Sequence, residues 1–117
     1  MLKGLCLINS HAFADTEEKK ESRVEVCKKV QVNRPGFIVD FIPNLFSESR
    51  REALSAEIKE IQDQSLDVSE QSIIAAQYGM MQRPSRIALL QRFNKPIFFV
   101  IGKNDNRAAG EIEGARP

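Results

Sequence analysis

The sequence predicts an α/β fragment that is mostly α, with a helical cap of four to five helices set between two short parallel strands. Three observations lead there. Two continuous β-rich apolar runs, Leu5-Cys6-Leu7-Ile8 and Ile97-Phe98-Phe99-Val100-Ile101, stand near the two ends of the 117-residue chain. Neither alternates apolar with polar, which is the pattern of strands buried on both faces in parallel sheets. The connection between them reads helical almost throughout and is about seven times the dozen residues that a parallel crossover needs. A segment that long, folded into helices of its own, looks like a lid on an α/β core.

The first run ends at Asn9 and Ser10. A helix then starts at Asp15, where Asp15-Thr16-Glu17-Glu18 places a carboxylate at the N-cap and a Glu at N3. Its polar first half, Glu17 to Arg23, projects into water, and its second half carries Val24, Val26, Cys27 and Val30. Asn33-Arg34-Pro35-Gly36 breaks it, and a short helical stretch from Phe37 to Ile42 stops at Pro43. The clearest helix starts at Ser47, with Leu54, Ile58 and Ile61 on one face. Ser69 caps the next, which carries Ile73, Ile74, Gln77, Tyr78 and Met81 on one side. After Pro84-Ser85, a short helix with Ile87, Leu89, Leu90 and Phe93 leads to Pro96 and the second strand, closed by Gly102. Two parallel strands do not make a stable sheet alone. Burying the five residues of the second strand is worth about 8–15 kcal/mol, so further strands are expected from outside this chain.

Composition excludes several classes. Apolar residues make up 42% and charged residues 28%, as in globular proteins. A net charge of +1, from 17 basic and 16 acidic side chains, leaves no basic stripe for nucleic acid. No apolar run approaches a membrane span, and the apolar N-terminus is too short for a signal peptide. Cys6 and Cys27 show no CxxC or disulfide spacing, so both read as buried small hydrophobes in a reducing cytoplasm. With one histidine and no cysteine cluster, no metal site or cofactor is expected.

No nucleophile-elbow, phosphate-loop or dinucleotide motif occurs. What remains gathers at the strand ends. Gly102-Lys103-Asn104-Asp105 follows the second strand, where open α/β sheets place ligands and catalytic groups. Asp105 can orient a histidine or simply close a turn; local sequence favours the turn. His11 follows the first strand, as a pocket residue, a base or a structural donor, the last weighing most. Phe41, Phe46, Tyr78 and Met81, with Phe37 and Met80, either roof an apolar pocket or form the core of the helical segment.

The order of these parts resembles the α/β-hydrolase fold family. The likeness runs from Leu5-Cys6-Leu7-Ile8-Asn9-Ser10 through a helical insertion and Arg83-Pro84-Ser85-Arg86, then Leu90 and Phe93, to Pro96-Ile97-Phe98-Phe99-Val100-Ile101-Gly102-Lys103-Asn104-Asp105. In that family a helical cap is commonly inserted after the sixth core strand, and the chain returns into the seventh through an Arg-x-Asp segment and a hydrophobic-Gly-x-x-Asp motif. The resemblance implies that Asp105 is the acid of a catalytic triad whose serine would precede Met1 and whose histidine would follow Pro117. His11 does not match that histidine. Ser85 departs from the motif's usual acid, and the segment from Asn106 to Pro117 lacks the usual hydrophobic-Pro pair.

The resemblance implies the cap portion of a hydrolase that cleaves a small ester, amide or related carbonyl substrate, inactive as an isolated chain. Residues 1–12 are then a core strand and exit loop, 13–94 the cap, 95–106 a core strand and acid loop, and 107–117 a tail, disordered or derived from cloning. A homo-oligomer is expected for such a fragment. The alternative is a self-associating helical interaction module without catalytic activity.

Overall fold

Leu5–Ile8 and Ile97–Val100 form strands β1 and β2, paired in parallel with Leu5 opposite Ile97 and Ile8 opposite Val100. This is a computed structural model, and it describes residues 1–105; the tail expected over 107–117 lies outside the described residues. Between the strands run α1 (Glu17–Phe41), two 3₁₀ turns (Ile42–Leu45 and Glu48–Arg50), α2 (Ser55–Ser65), α3 (Glu70–Gln82) and α4 (Ile87–Arg92). The fold class is therefore the expected one, mostly helical with two short parallel strands in one sheet. Among the described residues no helix is long and apolar enough to cross a membrane. The described residues divide into two compact units, 15–83 and 1–14 with 84–105.

In the helical unit, the N-cap of α1 is Thr16 rather than Asp15: its hydroxyl accepts the Lys19 N–H at 3.2 Å. Asp15 is drawn to a stronger partner. Its side chain is 1% exposed and accepts from Arg23 Nε and, at 3.3 Å, Arg23 Nη2. Arg23 Nη1 also donates to Gln77 Oε1 of α3 at 3.2 Å. The hydrogen bond from Arg23 holds the Asp15 carboxyl below its ordinary range, and the charges of Arg23, Arg83 and Lys19 add to that. The polar first half of α1 is thus not wholly given to water, because Arg23 turns inward.

The break at Asn33 is real but local. Asn33 alone leaves helical geometry (φ −154°, ψ 79°), and its Oδ1 accepts the Gly36 N–H at 3.1 Å, capping the second half of α1. Pro35 then sits in the first turn, where its missing N–H costs nothing. Gly36 is required by space: a Cβ there would lie 2.9 Å from Asn33 Cγ. Beyond the bend, Ile38 and Ile42 share a face and bury against Ile58 of α2, with Phe37, Phe41, Phe46, Leu54, Leu66 and Ile73 packed around them. Each such isoleucine contributes about 1.5–3 kcal/mol.

The helix expected from Ser47 begins later, at Ser55. Ser47 Oγ meets Ser49 Oγ at 3.1 Å instead of a backbone N–H, so it leads only a 3₁₀ turn. Arg34 Nη1 donates to the carbonyls of Leu66 (2.6 Å) and Val68 (2.7 Å), satisfying acceptors at the end of α2. Ser69 caps α3 as expected, accepting the Ser72 N–H at 3.1 Å.

In the strand unit, none of the eight strand side chains is buried, contrary to the two-sided burial their pattern implies. Ile8 is 64% and Phe98 66% exposed. Cys27 is buried as expected, but Cys6 is exposed. The reason is geometric: a pair of strands has two faces and two edges to cover, and among the described residues this unit adds only α4 and loops.

Candidate functional site

The site is built at the C-terminal ends of the two strands. Parallel pairing brings Ile8 level with Val100, so both chains leave the sheet on the same edge. The Asn9 N–H donates to the Val100 carbonyl at 2.7 Å, extending the ladder by one bond. Asn9 then takes φ 45°, the one positive φ at a non-glycine among the described residues. In that conformation its Oδ1 accepts the Gly102 N–H at 3.1 Å. Gly102 in turn accepts the Asp105 N–H on its carbonyl at 3.0 Å, and a Cβ placed on Gly102 would lie 3.6 Å from Asp105 Cβ. Asp105 is half-buried at the end of this turn.

Asp105 therefore stands in a turn, as local sequence favours, and that turn sits on the sheet edge where a catalytic acid is expected. The two readings are compatible. His11 leaves the same edge, half-buried. The Phe13 N–H donates to His11 Nδ1 at 3.3 Å, with the two rings tilted 40° and centroids 6.2 Å apart. In this bond Nδ1 of the imidazole is the acceptor. Ala12 accepts the Arg86 N–H at 2.7 Å, which ties the exit of β1 to the entry of α4.

The other candidates belong to the helical unit. Phe41 stacks on Phe37 (centroids 5.4 Å, 20° between planes), and both Phe41 and Phe46 pack against the Ile38, Ile42 and Ile58 cluster. Phe41 also lines a hollow of about 180 Å³ with Phe37, Ile38, Ile42, Val68 and Ile73. A wider groove of about 610 Å³ lies along the bend of α1, over Val26, Val32, Phe37 and Phe41 and beside Lys28 and Lys29. Tyr78 and Met81 lie on α3; Tyr78 is half exposed. Among the described residues no three His, Cys, Asp or Glu side chains gather as metal ligands do.

The residue that reading along the chain passes over is Asn9. Its signal was present: an asparagine directly ending a strand is one of the few residues that enter left-handed backbone readily.

No protein-family model matches the chain, and no curated protein does. Among solved structures it is similar to a thermophilic esterase from Thermogutta terrifontis, determined with malate bound. The two are 28% identical, with a TM-score of 0.75, over 96% of this chain and 42% of the esterase. The chain thus spans less than half the length of the protein it resembles.

Proposed function

We propose that this chain is the cap-bearing part of an α/β-hydrolase that cleaves a small ester, amide or related carbonyl compound. The observation that carries the reading is the likeness of nearly the whole chain to part of an esterase, with Asp105 on the loop that follows β2. In the complete enzyme a serine attacks the carbonyl carbon and a histidine takes the serine proton and returns it to the leaving group. Asp105 holds that histidine in the right tautomer and steadies the imidazolium. Both partners come from sequence outside this chain. The helical segment carries the pocket candidates Phe41, Phe46, Tyr78 and Met81, and His11, just after β1, is a further candidate; in an enzyme of this kind such residues shape the substrate pocket and exclude water. This chemistry calls for no metal or organic cofactor.

The test is a chimaera in which residues 1–105 replace the matching segment of the Thermogutta terrifontis esterase, assayed on short p-nitrophenyl esters beside the isolated chain. The isolated chain is expected to turn over nothing. The chimaera is expected to hydrolyse the esters and to lose about 10⁴-fold in kcat on Asp105→Asn. Turnover by the isolated chain that disappears in Asp105→Asn sinks the fragment reading. A chimaera indifferent to Asp105→Asn removes the triad role.

The exposed Ile8, Phe98, Phe99 and Val100 favour a second reading for the isolated chain, a module that covers its strands with another copy of itself. Light scattering across a concentration series is expected to give a defined dimer or larger assembly; a monomer at every concentration refutes self-pairing.

A further inference from the structure

Asn9 does three things at once, and only one of them is ladder pairing. Its N–H ends the β1–β2 ladder on Val100. Its backbone turns left-handed, at φ 45°. Its side-chain carbonyl, freed by that turn to face the opposite strand's exit, takes the N–H of Gly102 at 3.1 Å across 93 residues of sequence. Asparagine enters left-handed backbone more readily than other non-glycine residues, and in that conformation its side chain reaches the Gly102 N–H.

The consequence passes to Asp105. Gly102 is both the recipient of the Asn9 bond and the carbonyl that closes the turn on the Asp105 N–H at 3.0 Å. That hydrogen bond couples the position of Gly102 to the backbone from which the Asp105 side chain springs. A shift of Gly102 therefore displaces the Asp105 carboxylate, and a triad acid acts through the direction in which it holds its histidine.

We infer that Asn9 is the positioning residue for Asp105: it anchors Gly102, the second residue after β2, and so sets where the acid's turn begins. The inference rests on the hydrolase reading for its catalytic meaning, but the Asn9–Gly102–Asp105 linkage is a property of this chain whatever the reaction. Asn9 touches no reacting atom in this account.

Two substitutions separate the bond from the backbone. Asn9→Gly keeps the left-handed conformation without strain and removes only the acceptor. Asn9→Asp keeps an acceptor of the same shape on a residue that also tolerates φ 45°. In the intact chain, amide hydrogen exchange followed by NMR is expected to show Gly102 and Asp105 exchanging about 10-fold faster in Asn9→Gly. Asn9→Asp restores both, and the far-UV circular dichroism of all three proteins is the same. Unchanged exchange at Gly102 and Asp105 in Asn9→Gly overturns the linkage.

In the esterase chimaera, Asn9→Gly is expected to lower kcat about 10–100-fold at unchanged KM, with Asn9→Asp recovering most of it. An equal loss in Asn9→Asp, or a rise in KM alone, overturns the positioning role. If Asp105→Asn leaves the chimaera's turnover intact while the exchange result holds, the hydrolase assignment of Asp105 fails and the linkage stands.

Discussion

Breaking the Asp15–Arg23 pair from either side should destabilise the helical unit, but unequally. The Asp15 side chain is 1% exposed and that of Arg23 24%. Arg23→Met leaves a desolvated carboxylate without the donor that holds it. Removing one partner of a buried pair costs about 3–5 kcal/mol; the remaining charges of Lys19 and Arg83 place the expected loss near the lower end, about 3 kcal/mol. Asp15→Asn leaves a guanidinium that reaches water and keeps Gln77 Oε1, so about 1.5–2 kcal/mol is expected, the worth of a hydrogen bond to a charged group. A double-mutant cycle should return a coupling of about 1.5–3 kcal/mol. The assay is urea unfolding followed by helical circular dichroism, which reports mainly residues 15–83.

The same pair has a pH signature. The folded Asp15 pKa lies below its ordinary value of 3.8. The stability it contributes is therefore fully present above the unfolded pKa and is lost as pH falls through the lower folded value. The gap between the unaltered chain and Asp15→Asn should stay constant from about pH 7 to about pH 5 and narrow below about pH 4. A coupling under about 0.5 kcal/mol, an Asp15→Asn loss as large as that of Arg23→Met, or a gap that ignores acid refutes the reasoning.

Two glycines should respond with opposite signs to the same change. Gly36→Ala drives a Cβ into the Asn33 cap and is expected to cost about 1–2 kcal/mol, whereas Gly79→Ala on α3, with nothing within 4 Å, should add about 0.5–1 kcal/mol; chemical denaturation of both variants reads the pair, and a shared sign defeats the argument. The cysteines should separate under a thiol reagent: exposed Cys6 reacts in the folded chain while buried Cys27 waits for unfolding, and equal native rates contradict the burial pattern.

Much of the fold was legible along the chain because its signals act within a few residues. The two apolar runs became β1 and β2, Ser69 became a cap, and Asn33-Arg34-Pro35-Gly36 became a bend. The errors fell where two local choices compete. Asp15 and Thr16 are both good N-cap residues, and which one caps depends on whether a guanidinium is at hand to claim the carboxylate. Ser47 looks like a cap until its hydroxyl meets that of Ser49. Cys6, in an apolar run, reads as buried only if something covers the sheet.

By itself, then, the sequence determined the class of architecture, the order of the main helices, and the placement of Asp105 just beyond a parallel strand. Periodicity, capping and turn chemistry settle those matters locally. Tertiary structure alone decided the contacts that join distant residues: Arg23 to Gln77, 54 apart, Arg34 to Leu66 and Val68, 32 and 34 apart, and Asn9 to Gly102, 93 apart. No local pattern encodes such bonds, because each depends on where two separately formed elements come to rest, and a polar side chain finds its partner only after the backbone has brought the two together.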